Sequence, residues 1–418
     1  MLIKPLPVFI YLFFLPLLVS CAGSSVKYKS VGLDEKTPSC QINDAICVQT
    51  HKFKRVDYEA DDLLLTYDAD KSADVADAVL KKYKLRAKRT DQLTFIKRNM
   101  VTAATNGQDP VDLVTAIKKH EKEVDASTNN FFTTASVVDS ATGGVIYPMG
   151  MTGVPVARSR TRGNGVVIGM IDTPIDIDYN DSLHASIERI DLVAAGDANN
   201  RLHGTEVAGV MVSQNPRIGI APEAKLIAIS AFSTAMSSGG ERRSNSGLVT
   251  RALEIALKQN IDVLNLSFAG PSDPLVDQLV QAAVQKGIVV VASAGNGGPG
   301  AQPAYPAALP GVIAVTAVDK GETIFGRANR GDYIDLSAPG VGILTTAPGG
   351  TFHVSSGTSL ATAHVSGVIA LLMSLQRQGF QPELLNRTAV DLGQPGRDND
   401  YGYGLISVAR ALSAIGQP

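Results

Sequence analysis

The sequence predicts an α/β protein: a parallel sheet with helices on both faces, preceded by a small α+β module. Three observations lead there. From about residue 163 onward, apolar strand-like runs alternate with helical patterns, which implies parallel strands joined by crossover helices. Runs such as residues 287–292 (GIVVVA) do not alternate in polarity, so those strands are buried on both faces. Charge is also partitioned: 29 of the 75 residues 51–125 are Asp, Glu, Lys or Arg, against 11 of the 111 residues 262–372. A small, surface-rich module therefore precedes a large core.

Composition excludes several classes. With 38 Lys+Arg and 40 Asp+Glu the net charge is −2, where a protein gripping nucleic-acid phosphates would be basic. The 44% hydrophobic content excludes a wholly disordered chain. Three cysteines are too few for a disulfide scaffold or a four-cysteine zinc site.

The N-terminus reads as an export signal. Lys4 precedes residues 5–20, which carry no charge and fall short of the ~20 residues of a membrane span. Leu18-Val19-Ser20-Cys21 closes the run and resembles the lipobox of bacterial lipoproteins. That resemblance implies cleavage before Cys21, a diacylglycerol on its thiol and an acylated new N-terminus; the alternative is a plain signal with an incidental cysteine. Ala22, rather than Asp, resembles the pattern of lipoproteins sent to the outer membrane in two-membrane bacteria. Cys40 and Cys47 would then meet an oxidising compartment, which predicts a Cys40–Cys47 disulfide over two separate thiols.

In the charged module, residues 62–67 read as a strand and 72–84 as an amphipathic helix with Val75, Ala76, Val79 and Leu80 on one stripe. Residues 85–90 and 93–98 read as strands. Residues 109–123 form a helix with Pro110 in its first turn, and 131–135 a last strand. The order is β-α-β-β-α-β. Residues 140–165, rich in Gly, Ser and Arg, read as an exposed junction. Beyond it, strands are expected at 166–171, 225–230, 263–267, 288–292 and 312–317, with helices at 203–213, 246–259 and 273–286. Ligands in such sheets sit at the carboxyl ends of the strands.

Three motifs carry chemistry. Gly169-Met-Ile-Asp172-Thr173 ends a buried strand in a carboxylate at that edge. His203-Gly204-Thr205-Glu206-Val207-Ala208-Gly209 places a histidine at the start of a small-residue helix. Ser356-Gly357-Thr358-Ser359-Leu360-Ala361 opens an unbroken apolar helix, with Ser359 where free backbone N–H groups and the dipole favour a developing oxyanion. Singly these read as a turn Asp, a structural His and an N-cap Ser. Together, in the order Asp172…His203…Ser359, they resemble the subtilisin-like serine proteases.

The resemblance covers residues 147–412. Further blocks agree in order: residues 219–224 (GIAPEA), 265–270 (NLSFAG), 292–296 (ASAGN), 305–307 (YPA) and 312–319 (VIAVTAVD). It implies Ser359 as nucleophile, His203 as base, Asp172 as its orienter and Asn296 as oxyanion donor. Ser267, Phe268, Ala269, Gly270, Ala294 and Gly295 are implied as substrate walls. None of the six is acidic, so an apolar or neutral residue is expected before the cut bond, rather than Lys or Arg. Pro174, Leu360 and Ala363 depart from the family pattern without removing a chemical group. Gly295-Asn-Gly-Gly-Pro-Gly300 also fits a dinucleotide fingerprint, but Pro299, Pro303 and Pro306 forbid the helix it must open.

No metal site is assigned. Residues 210–218 offer Asn215 but no carboxylate. Asp176, Asp178 and Asp181 read as a solvated loop, and calcium is left open without a site. The expected organisation is a signal at 1–20, a lipid-anchored segment at 21–52, a module at 53–137 resembling the inhibitory prodomain of such enzymes, a junction at 138–163 and a catalytic domain at 164–414. The module could instead be an accessory binding domain. The expected function is a lipid-anchored, self-cleaving serine endopeptidase of the bacterial envelope, probing protein or peptide substrates, monomeric, without cofactor or nucleic-acid partner. The alternative is an inactive protease-like binding lipoprotein.

Overall fold

Three consecutive leucines, Leu63–Leu64–Leu65, set the layout of the N-terminal module, because successive strand residues face opposite sides. The computed structural model describes residues 57–135, 137–138, 147–178, 183, 186–196, 198–233 and 243–416. The chain divides into two units, Met1–Lys54 and Arg55–Pro418, and every described residue belongs to the second. The signal, Cys21, Cys40 and Cys47 thus lie outside the described residues.

The module runs β1 (Tyr58–Asp68), α1 (Asp74–Lys82), β2 (Arg86–Leu93), β3 (Arg98–Ala104), α2 (Pro110–His120) and β4 (Asp125–Thr134). β1 pairs antiparallel with β3 and β4, and β2 with β3. Leu63 and Leu65 join Val79, Val101 and Ile117 in one core, while Leu64 points the other way, to Leu93, Met100 and Leu275. The module therefore has a second apolar face, turned to the larger body. α2 is capped by Asp109, whose side chain accepts from Val111 and Asp112 N–H, and it ends in Lys118, Lys119 and His120, which suit the negative end of the dipole.

Within the strand expected over 93–98, residues 94–97 are instead the turn between β2 and β3, with Lys97 at φ 52°, and the strand begins at Arg98. Phe95 and Ile96 are apolar because they pack on the larger body, not because they lie in a sheet. β4 begins at Asp125, six residues earlier than its apolar stretch.

The body contains β5 (Val137–Val138), α3 (Pro148–Thr152), α4 (Val154–Arg158), β6 (Val167–Asp172), β7 (Ile187–Asp191), α5 (Ala198–Val212) and β8 (Lys225–Ser230). It continues through β9 (Arg243–Asn245), α6 (Ser246–Lys258), β10 (Val263–Leu266), β11 (Phe268–Ala269), α7 (Pro274–Gln285), β12 (Val289–Ser293) and β13 (Ile313–Val318). Last come β14 (Leu336–Pro339), β15 (Ile343–Ala347), β16 (Thr351–Ser356), α8 (Thr358–Leu375), α9 (Glu383–Thr388) and α10 (Val408–Ala414). The central sheet has seven strands in the order β14-β13-β12-β10-β6-β8-β7, every pairing parallel. One face packs on α6 and α7 through Leu253, Leu257, Val276 and Val280. The other packs on α5 and α8 through Val207, Met211, Val365 and Leu372. The fold class is the one the alternation of elements implies.

Two further expectations are corrected. Residues 148–158, read as an exposed junction, form α3 and α4, and Met149, Val154 and Ala157 enter the main core. Their helical phase is too short to show periodicity. Asp176, read as part of a solvated loop, is fully buried; Arg201 and the Gly349 N–H bond its two carboxylate oxygens. Asp178 remains outside, paired with Arg189, and Asp181 lies outside the described residues.

Candidate active site

β6 brings Asp172 to the carboxyl edge of the sheet, where its Oδ1 accepts from the Thr173 N–H at 2.6 Å and lies 2.6 Å from His203 Nδ1. Both side chains are fully buried. α5 starts at Ala198, so His203 sits in the second turn rather than at the helix start. Its position is set by the next residue. Gly204 N–H donates to Thr173 Oγ1 at 2.8 Å, and a Cβ on Gly204 would lie 2.4 Å from the Thr173 carbonyl oxygen. Only glycine lets this helix approach the end of β6 so closely. His203 Nε2 has no hydrogen-bond partner among the described residues.

Ser359 lies in the first turn of α8, after β16 and Gly357. Its backbone N–H donates to the Ala135 carbonyl oxygen at 3.2 Å, and its Oγ donates to the same oxygen at 2.7 Å. A free N–H at a helix start is a ready donor to a carbonyl or an oxyanion. Asn296 stands beside it: its Oδ1 accepts from Thr358 N–H at 3.2 Å and Thr358 Oγ1 at 3.0 Å. That fixes the amide plane and leaves Nδ2, which is buried and has no partner among the described residues.

Ala135 reaches this place because β4 continues as the middle strand of a short sheet. Phe131–Thr133 pair with β9, and Thr133–Thr134 pair with β11. Ala135 N–H donates to the Ser267 carbonyl at 3.3 Å. Beyond Ser136, which lies outside the described residues, Val137–Val138 pair with Ser356–Ser355 of β16. The backbone thus crosses Ser359 at the Ala135 carbonyl, held as a strand on both sides. Phe132 is fully buried, edge-on to Phe268 with ring centroids 5.8 Å apart, and close against Gly270, whose added Cβ would meet its ring at 2.3 Å.

Of the other wall residues, Ser267 Oγ donates to the Ser359 carbonyl at 3.0 Å, tying the wall to α8. Ala294 and Gly295 follow β12 directly and are buried. His364 lies away from this cluster, with Nδ1 2.8 Å from the Leu360 carbonyl, and burial pushes it down to about 4. Among the described residues no group of three or more His, Cys, Asp or Glu side chains could hold a metal ion.

Residues 163–404 match the profile of the Subtilase family. The chain belongs to the subtilase family. Over 254 residues this subtilase is 33% identical to Subtilisin of Bacillus pumilus, covering 60% of this chain and 91% of that one. It is 30% identical over 290 residues to the Intracellular serine protease of Paenibacillus polymyxa, covering 63% and 86%. Among solved structures it superposes with fervidolysin from Fervidobacterium pennivorans, described as a keratinolytic enzyme related to subtilisin, at a TM-score of 0.72 and 25% identity. That match covers 87% of this chain and 62% of fervidolysin.

Several residues that seat the N-terminal module of this subtilase on its body carry no motif. Asn130 N–H donates to Ser246 Oγ at 3.0 Å and its Nδ2 to Asp273 Oδ2 at 3.0 Å, while Gly247 N–H donates to Asn129 Oδ1 at 3.0 Å. Thr94, through N–H and hydroxyl, donates to buried Glu254. These join the module to the starts of α6 and α7 and to the middle of α6. The spacing of Ser246 and Asp273 as helix-start residues was the only local signal.

Proposed function

We propose that the chain is an exported, lipid-anchored serine endopeptidase made as a self-cleaving zymogen. The observation that carries the catalytic part is the 2.6 Å contact between Asp172 and His203, together with Ser359 placed by both N–H and Oγ on one peptide carbonyl. Ser359 Oγ attacks the substrate carbonyl, and His203 Nε2 takes its proton. Asp172 holds Nδ1–H, fixing the tautomer and stabilising the imidazolium. The Ser359 N–H and Asn296 Nδ2 donate to the oxyanion. His203 then returns the proton to the leaving amine, and a water activated by the same imidazole releases the acyl group.

The module occupies the cleft as a substrate would, with Ala135 on the acyl side of its bond to Ser136. That register supports autocleavage between these two residues, after which residues 57–135 remain as a bound inhibitor. The lipid anchor rests on the Leu18–Cys21 motif. The acyl group then lies on the inhibitor's side of the cut, so cleavage frees the catalytic part from the membrane once the module dissociates.

The test is labelling of the matured protein with a fluorophosphonate probe, with Ser359→Ala as control. Labelling of the wild type alone supports the reading. A folded, cleaved wild type that does not label, and does not digest casein, favours a binding lipoprotein.

A further inference from the structure

We infer that Asp176 is a positioning residue for His203: it fixes the helix carrying His203 relative to the hairpin that leads to Ser359. The inference rests on the peptidase reading and adds to it a second buried carboxylate, with Arg201 as its partner.

Asp176 follows Asp172 by four residues, and its side chain is fully buried. Its Oδ1 accepts from Arg201 Nη1 at 2.7 Å, and its Oδ2 from the Gly349 N–H at 2.6 Å. Its own N–H donates to Thr205 Oγ1 at 2.9 Å. Arg201 and Thr205 stand two residues before and two residues after His203 on α5. Asp176 thus grips this helix on both sides of the imidazole. Between these two points, Asp172 and Thr173 meet His203 and Gly204 from the same stretch of chain.

Gly349 belongs to the turn between β15 and β16. From that turn β16 runs directly into Gly357 and Ser359. Its Ser355 and Ser356 also pair with Val138 and Val137, on the far side of the Ala135 carbonyl. On β15, Thr346 Oγ1 donates to the Thr205 carbonyl at 2.8 Å and Thr345 Oγ1 to the Glu206 carbonyl at 2.7 Å. Those bonds join the hairpin to α5 after His203. Asp176 joins it to α5 before His203, through Arg201.

The approach of His203 Nε2 to Ser359 Oγ depends on how α5 lies against this hairpin, because each residue rides on one of the two. A buried carboxylate suits the joint. It accepts at both oxygens at once, and the Arg201 charge offsets the cost of burying it. An asparagine has one acceptor oxygen, so it keeps one of the two bonds and loses the other.

The experiment uses the full chain after its own maturation, with the peptide Phe-Thr-Thr-Ala-Ser-Val-Val as substrate. Fluorophosphonate labelling run to completion normalises for the active fraction. Urea unfolding of each variant in the Ser359→Ala background establishes that it is folded under the assay conditions. Asp176→Asn and Arg201→Gln should each lower kcat by about tenfold or more, since a displacement of about 1 Å at the reacting groups costs up to about 10². KM should stay within about twofold, because the bonds lost run between α5 and the hairpin turn and not to the substrate strand. Arg201→Lys should keep kcat within about threefold, since Arg201 meets Asp176 through one nitrogen and a lysine can do the same. A folded Asp176→Asn or Arg201→Gln with wild-type kcat overturns the inference, as does an equal loss in Arg201→Lys. Failure of both Asp176→Asn and Arg201→Gln to fold overturns it too, by making the pair an element of stability. A wild type that neither labels nor cleaves overturns the peptidase reading, and this inference with it.

Discussion

The Ala135 carbonyl oxygen lies 2.7 Å from Ser359 Oγ and 3.2 Å from the Ser359 nitrogen, although the two residues are 224 positions apart. A chain folded this way presents its own peptide bond to the serine proposed as its nucleophile. Ser359→Ala should fold, since alanine is a good helix former, and accumulate uncut. The wild type should yield a fragment whose first residue is Ser136. N-terminal sequencing of both preparations, made in a host lacking secreted proteases, checks this. A cut at the same bond in Ser359→Ala would assign maturation to another protease.

Phe132 should hold the module in the cleft after cleavage. Phe132→Ala removes a fully buried ring and should cost about 3 kcal/mol or more of that hold. The expected outcome is a shorter lag between cleavage on a gel and the appearance of casein-digesting activity. An unchanged lag would mean that the hydrogen bonds donated by Asn130 and Thr94 and the one accepted by Asn129 dominate the docking.

Asn296→Ala should lower kcat by about 10²–10³, the loss that removing such an amide donor causes in a subtilisin and taken over here through family membership. KM should change little, because the amide acts on charge that develops only in the transition state. Steady-state kinetics on a small peptide decides it. A variant that loses affinity and keeps kcat would place Asn296 in substrate binding.

His364 predicts a pH dependence of stability. Burial holds it at about 4, below the ordinary value of 6.5, so the folded state prefers the neutral ring. Stability is therefore complete above pH 6.5 and falls as pH drops toward 4, because the unfolded chain takes up the proton first. The full loss is roughly 3 kcal/mol. Urea midpoints of Ser359→Ala between pH 7 and pH 4 should fall, and more steeply than those of the same protein carrying His364→Gln. Parallel slopes would exclude His364 as the group responsible.

Cys21→Ser should abolish acylation and release the uncleaved chain from membranes, since the hold of lipid chains scales at ~0.8 kcal/mol per buried CH₂. Fractionation of the Ser359→Ala background after a high-salt wash reads this directly. Continued membrane association of the double variant would exclude the lipobox reading.

The amino-acid sequence by itself determined the parallel α/β body, because buried strands and amphipathic helices are written in windows of five to fifteen residues. It also displayed Asp172, His203, Asn296 and Ser359, each within a short block of small residues whose order is specific. What lies inside the folded protein was decided elsewhere. Nothing in its neighbourhood marks Asp176 as buried, because its burial depends on Arg201 and on the Gly349 N–H, 173 residues away. The β2–β3 turn was misplaced because Phe95 and Ile96 look like strand residues when their apolar surface is in fact covered by another part of the chain. The seat of Ala135 over Ser359 and of Phe132 against Gly270 depends on β4 entering between β9 and β11. Periodicity records which residues turn away from water. Which surface meets them is chosen only when the whole chain closes, because hydrophobic burial is non-directional and the pairing of faces is set by shape and by the hydrogen bonds at their edges.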